Sequence, residues 1–207
     1  MVMDVNSADK WEADYLRGTD GWDLGAPNPV FRNLLANEKL PSGRMLVVCA
    51  GRGHDAREFA RHGYQVTAVD FSPFAAQQMS RLADPGTPLE ILQQDLFTLS
   101  HDLDGSFDYV LEYTCYCAID PKRRTEFVDL IDRLLKPGGI YISLAFPLTQ
   151  KMGGPPFAVT VSELLHLFQE RGFKLIEREQ PSESVPQRRG AEELLMFQKK
   201  PIATSHR

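Results

Sequence analysis

Gly51 and Gly53 stand one residue apart where the apolar run of VVCAGRGHDAREFA (residues 47–60) stops and a helical pattern begins. Glycine at such a junction permits backbone angles closed to other residues and leaves no Cβ between the chain and a small ligand. About 20 residues further on, Asp70 ends the next apolar run, the spacing at which an acidic side chain reaches ribose hydroxyls. A carboxylate accepts from both hydroxyls of a diol. Asp95, Leu96 and Phe97 follow a third run and offer an acceptor for an adenine amino group beside an apolar wall for its face. A lone Gly-x-Gly is a weak signal, and Asp95 alone reads as a turn residue. Their shared position, each just beyond an apolar run, points to a nucleoside crevice.

Two ligands fit such a crevice. GRGHDA matches the looser dinucleotide fingerprint G-x-G-x-x-A, which seats the pyrophosphate of a nicotinamide cofactor on a helix start. Asp55 and Glu58 in the first helical turns oppose a pyrophosphate and suit a cation. They favour S-adenosylmethionine, an adenosine that carries a sulfonium and no phosphate. An NAD(P)-dependent oxidoreductase and a non-catalytic adenosyl-ligand binding protein stay open as alternatives.

The elements that must position these residues follow from the pattern. From Met45, apolar runs alternate with helical stretches. RMLVVCA, YQVTAVD, LEILQQD, FDYVLEY, IYISLAF and FKLIERE read as strands, and AEELLMFQKK as a closing helix-to-strand segment. DAREFARHG reads as a helix ended by Gly63. SPFAAQQMSRLA reads as one with Ser72 as N-cap and Pro73 at the first position. PKRRTEFVDLIDRLLKPGG is a helix closed by Pro137 and two glycines, and TVSELLHLFQERG another. The alternation predicts one doubly wound α/β domain, a mostly parallel seven-stranded sheet with helices on both faces and an antiparallel strand at its edge. Residues 1–43 form a polar, turn-rich extension and 44–200 the core.

The chain of 207 residues is 43% hydrophobic and 25% charged, with a formal net charge of -5, which argues against nucleic acid as a partner. No apolar run approaches the roughly 20 residues that span a bilayer. The N-terminus has no basic region followed by an apolar stretch, so no signal peptide is expected. Cys49, Cys115 and Cys117 are odd in number and lack disulfide-framework spacing, which predicts a reducing, cytoplasmic setting. C-x-C with His54 remote gives no zinc spacing, so no metal is expected.

WEADYLRGTDGWDLGAPNPVF, CAGRGHD, VDFSP, FDYVLEYTCYCAIDP, LLKPGGIYISLAFP and GGPPFAVTVSEL together resemble the thiopurine methyltransferase family in its broad sense, which includes thiol and halide methyltransferases. The resemblance runs from about Trp11 to Lys199. It implies a Rossmann-like class I methyltransferase fold, S-adenosylmethionine as methyl donor, and a small soft nucleophile as acceptor. A thiol is expected, with thiopurine, sulfide, halide, selenium and tellurium species as further candidates.

Carried over by position, Trp11, Tyr15 and Trp22 match aromatics that cover the cofactor. Gly51 with Gly53 matches the cofactor loop, Asp70 the ribose acid, Asp95 with Leu96 the adenine pair, and Tyr113 a cofactor-contacting aromatic. Tyr116, Arg188 and Arg189 are the acceptor-pocket candidates, with Cys115 and Cys117 lining or backing that pocket. The family reads Gly-Cys-Gly where this chain has Cys49, Ala50, Gly51. Methyl transfer from a sulfonium to a thiolate neutralises charge, so a dry, well-shaped pocket serves it without a general base. His54 is expected to order the loop, with no carboxylate in the loop sequence placed to orient it. The Trp11–Trp22 segment is expected to act as a lid, and the enzyme as a monomer.

Overall fold

The structure is a computed structural model and describes residues 4–149 and 152–201. Among these, seven strands form one sheet: β1 (Arg44–Val48), β2 (Gln65–Asp70), β3 (Leu89–Gln93), β4 (Phe107–Tyr113), β5 (Leu135–Ala145), β6 (Lys174–Glu179) and β7 (Glu193–Gln198). Their order is β3-β2-β1-β4-β5-β7-β6, with β7 antiparallel to both neighbours and the other pairs parallel. The order reverses between β1 and β4, where open α/β sheets present a crevice beyond their carboxyl ends. Six helices accompany the sheet: α1 (Ala8–Arg17), α2 (Pro29–Ala36), α3 (His54–Arg61), α4 (Pro73–Leu82), α5 (Arg124–Leu134) and α6 (Val161–Glu170). No helix among the described residues is long and apolar enough to cross a membrane.

The sheet is buried on both faces, which is why its strands read as continuous apolar runs. In β1, Met45 and Val47 pack with Phe31 of α2, Phe59 of α3 and Met79 of α4. Leu46 and Val48 point the other way, into the layer holding Phe127 and Ile131 of α5 and Phe168 of α6. There Phe168 stacks against both Tyr141 and Phe197, with centroids 4.5 and 4.7 Å away.

Three expectations are corrected. The N-terminal segment is not turn-rich throughout: α1 is capped by Ser7, which accepts from Asp9 N, and by left-handed Gly18, while Asn28 and Pro29 start α2. The glycines and prolines between them mask two short capped helices. Pro137, Gly138 and Gly139 do not close a helix. α5 ends at Leu134, and these residues lie inside β5, beside a register shift against β4. Finally, Glu193–Gln198 is strand with no helix before it, because Leu194, Leu195, Met196 and Phe197 are all buried between β5 and β6.

Gly53 serves the fold. It caps α3 at φ 68°, and a Cβ there would meet Met79 Cγ at 2.3 Å and Sδ at 2.8 Å. Gly53→Ala is therefore expected to lower stability by about 1–3 kcal/mol through left-handed strain and overpacking. Chemical denaturation measures this, and an unchanged midpoint would contradict it.

Candidate active site

The carboxyl ends of β1 to β4 open into a cavity of about 500 Å³. Trp11 and Tyr15 of α1, with Trp22 of the following loop, roof it. Cys49, Asp70, Leu96 and Thr114 form the sheet side, and Phe146, Pro155, Pro156 and Arg188 the far wall. Cys49 and Thr114 have positive φ (48° and 60°), so the chain turns sharply where β1 and β4 end.

Asp70 is held rigidly. One oxygen accepts from Gly51 N at 2.8 Å and the other from Ser72 N at 2.9 Å. Burial pushes its carboxyl up to about 6 against these hydrogen bonds, and the charge of Glu12 adds to the rise. Asp95 caps a short 3-10 turn by accepting from Phe97 N at 3.0 Å, and it too borders the cavity. Beside it Leu96 and Phe97 give the apolar wall, with the Arg123 guanidinium 3.6 Å over the Phe97 ring.

The aromatic roof is a cluster. Trp22 meets Trp11 and Tyr15 edge-on at 5.4 and 5.3 Å, and Tyr15 stacks on Phe74 of α4 at 5.2 Å. Arg52, between the two loop glycines, ties this roof down through ion pairs to Asp20 and Asp23. His54 Nε2 lies 3.2 Å from Asp23 Oδ1, and its Nδ1 lies 3.0 Å from Arg57 Nη2. The carboxylate beside this imidazole comes from the N-terminal segment and not from the loop. Burial alone would raise the Asp23 carboxyl. Hydrogen bonds from His54, the Gly25 N–H and Arg52 outweigh it and hold the group well below the usual carboxylate range.

Gly51 and Tyr113 face a smaller adjoining cavity of about 60 Å³, together with Asp23, His54 and Asp55. Asp55 accepts from Asn28 N at 2.7 Å, and burial pushes its carboxyl up to about 6. The Tyr113 hydroxyl donates to Glu192 Oε2 at 2.9 Å and accepts from Arg188. Burial holds it protonated against the Arg188 charge.

The acceptor candidates separate. Arg188 is 7% exposed and lies 4.7 Å from the Phe146 ring. Its hydrogen bonds go to neutral oxygens: Trp22 O at 3.0 Å, Gly21 O at 3.3 Å and the Tyr113 hydroxyl. Arg189 is exposed and borders neither cavity. Tyr116 lies in the core, 5.7 Å edge-on from Phe127 and beneath Arg124, and does not line the cavity. Gly53 likewise stays off the cavity walls. Cys117 does line it, but burial pushes its thiol up to about 12, so it stays neutral.

Cys49 and Cys115 form a disulfide with Cα atoms 5.4 Å apart across 66 residues. This corrects the expectation of unpaired cysteines. β1 and β4 are sheet neighbours, so their carboxyl-terminal loops lie side by side, a proximity that spacing in sequence does not carry. No metal-binding cluster occurs among the described residues.

These residues fit an adenosyl sulfonium. A buried carboxylate suits the ribose, the Leu96–Phe97 wall the adenine, and the aromatic roof a cation. Among the described residues a pyrophosphate finds no exposed, unpaired cation at the glycine loop: Arg52 is taken by Asp20 and Asp23, and Arg57 is buried against Arg52 O and His54. Sequence reasoning missed Glu12, Asp23, Arg52, Phe146 and Arg123. Arg52 carried a signal, as a charged residue between the two glycines; the others act across long stretches of chain.

Comparison with known proteins agrees. Residues 6–206 match the family described as thiopurine S-methyltransferase (TPMT). Probable thiol methyltransferase 2 of Arabidopsis thaliana is 34% identical over 201 residues, 96% of this chain and 88% of the relative. Thiocyanate methyltransferase 1 of the same plant is 31% identical, with 91% of this chain and 84% of the relative covered. The solved structure of Burkholderia thailandensis 1,6-didemethyltoxoflavin-N1-methyltransferase, with 1,6-didemethyltoxoflavin and S-adenosylhomocysteine bound, shares the fold. Its TM-score is 0.72 at 23% identity, covering 93% of this chain and 87% of that one. The nicotinamide and non-catalytic alternatives fall away: the chain belongs to the thiopurine S-methyltransferase family and is an S-adenosylmethionine-dependent methyltransferase.

Proposed function

We propose that the acceptor is a small thiol that attacks as its thiolate, held against Arg188. The observation that carries this reading is a buried guanidinium, hydrogen-bonded only to neutral oxygens, among the apolar walls of the cavity. Phe146 follows β5 and Asp95 follows β3, four strand positions apart, or about 19 Å at the usual strand spacing. Adenosine at Asp70 and Asp95 therefore leaves the β4–β5 side for the acceptor, with the aromatic roof between them. A cavity of about 500 Å³ lies at the lower end of what one drug-sized ligand occupies, so the second reactant is small.

When bound, S-adenosylmethionine supplies a methyl group made electrophilic by its sulfonium. The faces of Tyr15 and Trp22 favour a cation, and the roof they form excludes water. Arg188 favours the ionised form of an incoming thiol and fixes its sulfur. A thiol with pKa about 8.5 already provides a few per cent of thiolate at pH 7, so no base is needed. His54 is engaged with Asp23 and Arg57, and Cys117 is neutral. The names of the two plant relatives, a thiol and a thiocyanate methyltransferase, support a small sulfur nucleophile. The net charge of -5 supports a diffusible substrate over nucleic acid.

The test is methyl transfer from labelled S-adenosylmethionine across sulfide, aryl thiols, a thiopurine, thiocyanate, halides and selenium species. Thiols are expected to lead. Within the aryl thiols, the rising limb of kcat/KM against pH is expected to follow each thiol's own pKa. A midpoint shared by all thiols that disappears in folded His54→Ala would establish a protein base and refute this mechanism. Halide or thiocyanate turnover exceeding every thiol would refute the substrate class.

A further inference from the structure

Helix α4 begins Ser72-Pro73-Phe74-Ala75 and has no acidic residue in its first turn. A helix start carries unpaired N–H groups and partial positive charge, and an acidic side chain three residues after the cap commonly answers both. Here that position is Ala75, whose own N–H is taken by Ser72 Oγ at 3.2 Å. The missing carboxylate comes from another helix. Glu12 of α1 accepts from Phe74 N at 3.0 Å and from Ser72 Oγ at 2.5 Å through the same oxygen, Oε2. The result is a helix start capped jointly by its own Ser72 and by a carboxylate of another helix, 60 residues away in the chain.

The same helix start also holds Asp70, through Ser72 N. Two carboxylates thus share one N-terminus, one from the sheet and one from the roof. Glu12 follows Trp11 directly and precedes Tyr15 by one turn, and both of these rings line the cavity. We propose that Glu12 is a cofactor-positioning residue: it ties the roofing helix α1 to the α4 start that fixes Asp70, so that the roof and the ribose carboxylate form one preorganised unit. The inference rests on the reading that S-adenosylmethionine occupies this cavity with its ribose at Asp70.

A purely structural latch and a positioning residue differ in what Asp70 feels. Asp70 faces Glu12 and the Tyr15 hydroxyl from α1, and the N–H groups of Gly51, Phe71 and Ser72 from the sheet end and α4. Glu12 is the one carboxylate in that set. Its charge therefore adds to the burial that disfavours the ionised form of Asp70, and it raises the pH below which ribose binding fails.

The experiment is calorimetry of S-adenosylhomocysteine binding from pH 5 to pH 8, for the wild type, Glu12→Ala, Glu12→Gln and Asp70→Asn. Glu12→Ala is expected to raise Kd about tenfold, because binding must then order the roof itself. Glu12→Gln keeps an acceptor for Phe74 N–H and is expected to recover most of this loss at pH 7.5. The acid-side midpoint of binding is expected to move to lower pH in Glu12→Gln, as the repulsion on Asp70 is removed. If Asp70→Asn binds poorly while Glu12→Ala binds as the wild type, the role of Glu12 is refuted and the cavity reading stands. If Asp70→Asn also binds as the wild type, the cavity reading itself is refuted. Weaker binding in Glu12→Ala with an unmoved midpoint in Glu12→Gln reduces Glu12 to a latch and overturns the proposal.

Discussion

Arg188→Leu is expected to lower kcat/KM for an aryl thiol about 100-fold or more, the cost of removing one partner of a desolvated charge pair, about 2–4 kcal/mol. The guanidinium sits at 7% exposure, with its donors on Trp22 O, Gly21 O and the Tyr113 hydroxyl and the Phe146 ring beside it. Arginine is weakly hydrated and tolerates this site, where the Glu192 carboxylate reaches it only through the Tyr113 hydroxyl. A thiolate entering the cavity supplies a direct negative partner. The variant separates this role from that of a strut. As a strut, Arg188 supports the loop at Gly21 and Trp22, and its loss weakens S-adenosylhomocysteine binding. As a charge partner, it lowers the pKa of the bound thiol, and its loss moves the rising limb of kcat to higher pH. Arg188→Lys keeps the charge and loses the planar fork, so it is expected to recover the limb more fully than the cofactor affinity. Unchanged thiol kinetics in folded Arg188→Leu would remove this residue from the acceptor site.

The residues that were legible in the sequence share a property: their positions follow from a single βαβ unit. Gly51 lies just beyond β1 and Asp70 ends the adjacent parallel β2, and the helix between them fixes their separation, so Asp70 Oδ2 meets Gly51 N as the spacing implies. Ser72 and Pro73 mark the start of α4 by the same local logic. The residues that were not legible depend on which strands become neighbours or on where a loop turns. Cys49 and Cys115 meet because β1 lies beside β4. Left-handed Thr114 redirects the chain after β4, so Tyr116 enters the core while Cys117 reaches the cavity. Tyr116, an acceptor-pocket candidate from the sequence, is therefore a core residue. Glu12, Asp23 and Arg188 act through contacts across roughly 30 to 170 residues of chain, as in His54–Asp23, Glu12–Phe74 and Arg188–Trp22. α1 was hidden by the glycines and prolines that follow it, although Ser7 and Gly18 were both visible as caps.

Asp70→Asn is expected to weaken S-adenosylhomocysteine binding by about 2–4 kcal/mol, some 30- to 1000-fold, while changing the stability of the free protein little at neutral pH, because relief of a buried charge offsets the loss of one of the two backbone acceptors. The affinity loss follows from the carboxylate's position. Two of its acceptor sites hold Gly51 N and Ser72 N, and the rest border the cavity, where an ionised group takes both ribose hydroxyls and an amide takes one. The stability statement follows from linkage. Burial pushes the folded carboxyl up to about 6, above the ordinary carboxylate range, so the folded state holds the proton more tightly than the unfolded chain. Ionised burial of Asp70 therefore destabilises the free protein, by on the order of 3 kcal/mol at most, and the cost is relieved as pH falls from about 6 toward 4. Binding has the opposite slope. Hydroxyl donors favour the ionised form, so affinity falls as pH drops through 6, and binding near that pH releases a proton. Calorimetry in buffers of different ionisation enthalpy measures that release in the wild type, and Asp70→Asn is expected to abolish it. Thermal melts give the other half: at pH 7.5 the free variant melts near the wild-type temperature but gains little from saturating S-adenosylhomocysteine. A variant that keeps wild-type affinity and still releases the proton would place the ribose elsewhere.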